Sequence, residues 1–418
     1  MNKFIKLLNR PAIIFFATVT IFLLAPIPFG YIFGKTFLEK IIYSLIFLFI
    51  FLIIFEFLFQ FLYRLKWGLN YKLIEKVPFN KLFHEPHPYI PFVYKKDFDN
   101  SRNEQFIYPL HPELRQPNLI SNNLGYFNGE AGNRKVEMPK PKNLIRINCI
   151  GGSTTGNYLM KDNIVYSYPL ELERILKKKH NQDIEVNNFG HGGYNSADLF
   201  VSFSLQNIET KPDYIIIYHA YNDIRSYLTP GFSSDYFHSR KNLGEVYWKY
   251  YLSSKIPNVK LGFINYIINK HLLSFNENYS LLDTVAKGEI NLNQDYKLGL
   301  KTYERNLQHI IDICKSNKIK VILSSYCFHL YTGISKEPLH NLYKEIVLEE
   351  NKIIKKLSLK NNLPFVDAAN LIEKKDDNFV DSVHFSPAGM RELANHLSKE
   401  VKLNQNFKFQ SNVESLQR

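Results

Sequence analysis

Cysteine is scarce in this chain. Cys149, Cys314 and Cys327 are the three present in 418 residues, and no two stand in a C-x-x-C spacing. That excludes a disulfide framework and a cysteine-built zinc site, and Cys149, inside an apolar run, reads as a small core residue. Also missing is any compact run of Lys and Arg interleaved with aromatics. The formal net charge of +13 therefore does not indicate nucleic-acid binding. No internal repeat is present. What is abundant is aromatic: 33 Phe and 27 Tyr, with a large share of the Phe inside residues 11–63.

That Phe-rich region holds two uncharged or nearly uncharged stretches. Residues 11–34 (PAIIFFATVTIFLLAPIPFGYIFG) carry no charge, and residues 41–63 are interrupted by Glu56 and Gln60 alone. Each is long enough to span a bilayer. The first apolar run is too long for the core of a signal peptide, and no small-x-small cleavage site follows it. The expectation is an anchor over residues 1–66 with two transmembrane helices, multi-pass in the cytoplasmic (inner) membrane. Lys3, Lys6 and Arg10 precede the first helix, and Arg64, Lys66, Lys72 and Lys76 follow the second, while the loop between them has Lys35 and Lys40. By the positive-inside rule the large C-terminal domain then faces the cytosol. Glu56 sits off-centre and needs no functional role. The lipid bilayer is an expected partner, and a basic chain that enters it uses its charge at an anionic lipid surface.

Residues 67–143 are rich in Pro, Asn and aromatics without sustained period, an irregular lead-in with short strands. From 144 the pattern turns to α/β. Strands are expected at 144–150, Ile184–Asn188, Tyr214–Tyr218, Lys320–Ser324 and Pro364–Asp367. Helices are expected at 166–180, 196–209, 296–317, 338–361 and 386–401. Short apolar strands alternating with amphipathic helices imply a doubly wound parallel sheet covered on both faces, with ligands at the strands' carboxyl ends. The domain spans 144–402, a helical aromatic insertion occupies about 224–295, and 403–418 form a tail.

The strand ends carry a pattern. After the first comes Gly151-Gly152-Ser153-Thr154-Thr155-Gly156; after the second, His191-Gly192-Gly193-Tyr194; after the third, His219-Ala220-Tyr221-Asn222-Asp223; after the last, Asp381-Ser382-Val383-His384. Taken alone, Ser153 reads as a nucleophile, a phosphate-cradling hydroxyl or an ordinary turn residue. GGSTTG lacks the lysine of the phosphate-loop frame, which weakens the second reading. Acyl transfer needs a serine, a base to take its proton, a carboxylate to orient the base, and donors aimed at the developing oxyanion. Ser153, His384 and Asp381 supply the first three. The Ser153 amide, the Gly193 amide and the Asn222 side chain supply the donors. The two glycines before Ser153 leave room for a sharp turn that exposes its hydroxyl.

These segments resemble, in order, the sequence blocks of the SGNH (GDSL-type) hydrolase superfamily, over roughly residues 140–402. The resemblance implies a three-layer α/β/α, flavodoxin-like fold, with Ser153 as nucleophile, Gly193 and Asn222 as oxyanion residues and Asp381/His384 as the D-x-x-H pair. Two departures stand out: Gly-Gly-Ser replaces Gly-Asp-Ser, and Ala220 stands where a glycine is usual. His219, Tyr221 and His191 are candidates to line the substrate pocket, with a hydrogen-bonded structural role the alternative for both histidines, and Asp223 is expected to hold its loop. The expected activity is a membrane-anchored serine esterase acting on an O-acyl, chiefly acetyl, ester of a glycan or lipid, needing no metal or organic cofactor. The alternatives are an O-acyltransferase of envelope polysaccharide assembly using the same residues, and a non-catalytic glycan-binding or scaffold protein.

Overall fold

The computed structural model describes residues 31–67, 83–99, 107–108, 111–240, 291–330 and 338–403. Those up to residue 67 belong to one compact unit and those from 83 onward to a second. In the first unit the second apolar stretch forms part of one helix, α1 (Phe37–Trp67). Thr36 and Glu39 start it with a reciprocal cap: the Glu39 amide donates to Thr36 Oγ1 at 3.2 Å and the Thr36 amide to Glu39 Oε2 at 3.0 Å. At 1.5 Å per residue its 31 residues run about 46 Å, and Phe37–Leu58 is long and apolar enough to cross a membrane. The first apolar stretch, 11–34, lies outside the described residues except for 31–34.

The second unit opens with two short pairs, β1 (His84–Glu85) with β2 (Val93–Tyr94) and β3 (Ile107–Tyr108) with β4 (His111–Arg115). Then follow β5 (Ile145–Gly151), α2 (Ser153–Gly156), β6 (Leu159–Lys161), β7 (Ile164–Tyr166), α3 (Tyr168–Lys179), β8 (Ile184–Gly190), α4 (Ser196–Leu205), β9 (Tyr214–Tyr218) and α5 (Asn222–Leu228). The chain continues through α6 (Lys297–Ser316), β10 (Lys320–Ser324), α7 (Pro338–Asn361), β11 (Phe365–Val366), α8 (Ala368–Leu371) and α9 (Pro387–Glu400). The expected helix over 196–209 divides, because a 3-10 turn at Asn207–Thr210 follows the end of α4. Of the expected insertion, 224–240 and 291–295 are described. Its middle, 241–290, lies outside the described residues, as does the tail beyond 403.

The central sheet has the order β11-β10-β9-β5-β8, and every pairing is parallel. Its middle strand β9 (YIIIY) is a run of β-branched and aromatic residues buried on both faces, and β5 and β8 are nearly as buried although they carry Arg146, Asn148, Asn187 and Asn188. The helices pack in two groups, α3 against α9 and α6 against both α4 and α7. The strand ends are level, since Gly151 pairs with Gly190 on one side and with Tyr218 on the other, and Tyr218 pairs with Ser324. Everything that follows those strands therefore meets along one edge. The order reverses between β5 and its two neighbours, the topological switch point at which open α/β sheets place ligands.

A second sheet, β3-β4-β6-β7, is antiparallel and ties the lead-in to the domain through Arg115 paired with Met160. Its β6–β7 hairpin turns through Asp162 and Asn163, both at positive φ, the backbone that two-residue hairpins require.

Candidate active site

Gly152 sits where β5 gives way to α2, and the reason for a glycine there is proximity. A Cβ at Gly152 would fall 2.5 Å from Asn222 Nδ2, although its φ is an ordinary −81°. The glycine before Ser153, expected to leave room for a sharp turn that exposes the hydroxyl, thus leaves room for the asparagine after β9. Ser153 is the first residue of α2. Its Oγ lies 2.8 Å from His384 Nε2, across 231 residues of chain.

His384 Nδ1 lies 2.7 Å from Asp381 Oδ2. Asp381 Oδ1 accepts the amides of Val383 and His384, each at 2.8 Å, so the carboxylate is oriented by its own loop. Burial works to raise the Asp381 pKa. The nearby His384 charge and the ring and amide hydrogen bonds outweigh it, holding the carboxyl below the usual range. An ionised Asp381 requires a proton on Nδ1, which leaves Nε2 free to accept from the serine hydroxyl. The loop then passes into α9 through Ser386, whose Oγ caps the amides of Ala388 and Gly389, with Pro387 in the first turn.

On the other side of Ser153 lie the candidate oxyanion donors. Gly193 has φ +75°, a conformation that a side chain would strain. Among the described residues its amide donates to no protein acceptor, and neither does the Ser153 amide. Asn222 Nδ2 donates to Tyr194 O at 2.8 Å, and its second hydrogen remains to be directed elsewhere. A capping box at Asn195 and Asp198 starts α4 directly behind the Gly193 turn. Asn222 begins α5 from an unusual backbone: Tyr221 stands at φ +56°, ψ −53°, and the Asn222 amide closes on Ala220 O at 2.6 Å. This is a strained γ-turn, and the strain falls on Tyr221. Ala220 itself has no positive φ, so its side chain meets no left-handed backbone strain there.

The histidines proposed as pocket-lining are placed otherwise. His219 is 1% exposed, its Nε2 is 2.7 Å from Asp223 Oδ2, and Asp223 also takes hydrogen bonds from Ser196 and Tyr236. His191 is also 1% exposed, sandwiched between the rings of Tyr94 (3.6 Å between centroids) and Tyr194 (4.0 Å). Burial holds its imidazole well below the ordinary pKa. Both rings are packing residues beneath the strand ends. One nitrogen of each ring is bonded, His219 Nε2 to Asp223 and His191 Nδ1 to Gly192 O, while among the described residues His219 Nδ1 and His191 Nε2 are buried without a partner. Tyr221 is partly buried, tilted against Phe328 and edge-on to Tyr343. Asp223 holds its loop, as the sequence suggested.

Glu350 was missed. It is fully buried on α7, accepting the Tyr227 hydroxyl at 2.8 Å and the Tyr221 amide at 3.3 Å. Burial and then the Asp223 charge hold its carboxyl well above the usual range. The signal was available: Ile346, Val347, Glu350, Ile354 and Leu357 form one buried helical face. Among the described residues, no group of three His, Cys, Asp or Glu side chains converges in the way a metal set does.

The model of the GDSL-like Lipase/Acylhydrolase family matches residues 149–392, which is more than half of the chain and takes in Ser153, Gly193, Asn222, Asp381 and His384. The chain belongs to this family. It is accordingly a serine hydrolase of acylhydrolase type. Similar solved structures include a lipase/acylhydrolase from Enterococcus faecalis, at 19% identity, covering 62% of this chain and 95% of that one with a TM-score of 0.37. An acetylxylan esterase from Geobacillus stearothermophilus is 17% identical over 62% and 95%, TM-score 0.37. A GDSL-like lipase from Parabacteroides merdae is 15% identical over 61% and 94%, TM-score 0.38. No curated protein matches the chain.

Proposed function

We propose that this acylhydrolase is a membrane-anchored serine esterase that removes an O-acyl group, chiefly acetyl, from a glycan or lipid, with Ser153, His384 and Asp381 as its triad. The observation that carries the reading is the unbroken chain Ser153–His384–Asp381, with links of 2.8 and 2.7 Å. Ser153 Oγ attacks the ester carbonyl carbon while its proton passes to His384 Nε2, and Asp381 stabilises the resulting imidazolium. The carbonyl oxygen becomes an oxyanion that accepts from the Ser153 and Gly193 amides and the Asn222 side chain. Collapse expels the alcohol, which takes the proton from Nε2, and leaves an acyl-serine. Water then attacks with His384 as base, releasing the acid and restoring the hydroxyl.

The apolar helix Phe37–Trp67 supports the anchor. The apolar stretch 11–34 adds a second crossing, and the basic flanks at Lys3, Lys6, Arg10 and at Arg64, Lys66 orient the catalytic unit to the cytosol. The aromatic lead-in favours a glycan or glycolipid ester over a simple lipid.

The test is hydrolysis of p-nitrophenyl acetate by the detergent-solubilised full chain and by Ser153→Ala. The expected result is turnover that the substitution abolishes. Equal rates in both proteins would defeat the serine mechanism. Turnover that rises only when a sugar acceptor is supplied would turn the assignment to acyl transfer.

A further inference from the structure

The turn that carries Gly193 has a difficulty built into it. His191-Gly192-Gly193 pairs two glycines, the residues with the widest backbone freedom, at a place where an amide must be aimed before the reaction begins. An amide free to swing would have to be ordered at each turnover. Something must therefore hold the turn, and its own bonds do so only in part. The Gly192 carbonyl lies 3.1 Å from His191 Nδ1, the Tyr194 amide donates to His191 O at 3.3 Å, and Arg240 Nη1 donates to Gly193 O at 3.3 Å. None of these restrains the Gly192 amide, which belongs to the His191–Gly192 peptide, the plane immediately before the one whose carbonyl is Gly192 O and whose N–H is the Gly193 amide.

That amide is taken by the lead-in. Gly192 N donates to the Tyr94 hydroxyl at 3.0 Å, across 98 residues of chain. The Tyr94 ring lies flat on His191, 3.6 Å between centroids at 18°, and His191 in turn lies flat on Tyr194, 4.0 Å at 10°. The rest of β2 and its approach meets the same turn. The Tyr194 hydroxyl donates to Phe92 O at 2.8 Å, and a Cβ on Gly193 would sit 3.7 Å from Phe92 Cζ. The β1–β2 pair, register His84 with Tyr94, thus forms a brace along one side of the turn. It lies wholly outside residues 149–392, the part of the chain that the family model covers.

We propose that Tyr94 is a positioning residue: its hydroxyl fixes the Gly192 peptide, and its ring clamps His191, so that the Gly193 amide is held ready for the oxyanion. This rests on the serine-esterase reading above. It implies that the lead-in is part of the working enzyme, and that the region matched by the family does not by itself complete the site.

Tyr94→Phe in the solubilised full chain tests it, because it removes the hydroxyl and keeps the ring stack. The expected result is a kcat on p-nitrophenyl acetate lower by about tenfold, a fraction of the 10²–10³ lost with a whole oxyanion donor, at unchanged KM. Affinity for a boronic acid that forms a tetrahedral adduct on Ser153 should fall by the same factor. Tyr158→Phe is the control, since it deletes a hydroxyl that donates to Phe127 O at 2.6 Å rather than to residues 191–193. It should lower the unfolding temperature at least as much as Tyr94→Phe does and leave kcat and boronate affinity alone. Tyr94→Phe with wild-type kcat and boronate affinity overturns the role, as does a loss in both variants that follows their stability. Activity that survives Ser153→Ala would instead overturn the serine reading itself, and the Tyr94 role with it.

Discussion

Replacing Asp381 by Asn is the sharpest perturbation available, because the structure dictates how the new amide must turn. Oδ1 of Asp381 accepts two backbone amides, from Val383 and His384, both at 2.8 Å. An Asn in that position has to keep its oxygen there, since turning the NH₂ toward two N–H donors would leave three donors facing one another. The NH₂ then replaces Oδ2 and points at His384 Nδ1, 2.7 Å away. A donor at that place forces Nδ1 to accept and moves the ring proton to Nε2, where it faces Ser153 Oγ. The histidine becomes a donor to the group it should deprotonate. Loss of the base by this route costs roughly 10⁴-fold in kcat, or about 5.4 kcal/mol of barrier. The assay is kcat on p-nitrophenyl acetate near neutral pH, with folding checked by circular dichroism. A loss of less than about tenfold in a folded Asp381→Asn protein would refute the orientation argument. The same substitution has a pH signature. Asp381 titrates below its unfolded value, so its stabilisation is present above the ordinary carboxylate pKa and is lost as pH falls through the folded one. Acid unfolding of the wild type should carry that component, and Asp381→Asn should lack it.

Further outcomes follow from the neighbouring residues. Asn222→Ala removes the proposed oxyanion donor and its bond to Tyr194 O, and kcat should fall by about 10²–10³ with KM little changed; equal losses in KM would point to substrate binding instead. Glu350 titrates above its unfolded value, so the stability it contributes is present at low pH and lost as pH rises toward the folded pKa. In urea melts the advantage of Glu350→Gln over wild type should therefore grow from pH 4 to pH 8, and a pH-independent difference would contradict the assignment. Ile216, fully buried in the middle strand of the sheet, should cost about 2–5 kcal/mol on truncation to Ala, read as a lowered denaturation midpoint. A reporter fused after residue 418 should behave as cytosolic, and a periplasmic signal would reverse the proposed orientation.

Local pattern determined a great deal of this protein. The five central strands and the five long helices of the catalytic domain were legible because each buries a continuous run or one helical face, a property of residues adjacent in the chain. Ser153, Gly193, Asn222, Asp381 and His384 were legible because strand ends are where a parallel sheet gathers its chemistry, and each stands just beyond such an end or in the loop before the last helix. The β6–β7 hairpin was not legible, since its three-residue strands are too short to display a period. The burial of His191 and His219 was not legible either, because Tyr94 and Tyr303, the rings that meet them, come from distant segments. The helical face of α7 marks Glu350 as buried, but its partners were hidden for the same reason, as were those of Tyr94. Glu350 reaches the Asn222 turn from α7 and Tyr94 reaches Gly192 across 98 residues, and neither contact leaves a mark on its own surroundings in the sequence. Periodicity reports which face of an element is buried. What that face is buried against is decided only when the sheet and helices close, and that closure is what turned a list of strand-end residues into a serine with a histidine nitrogen 2.8 Å from its hydroxyl.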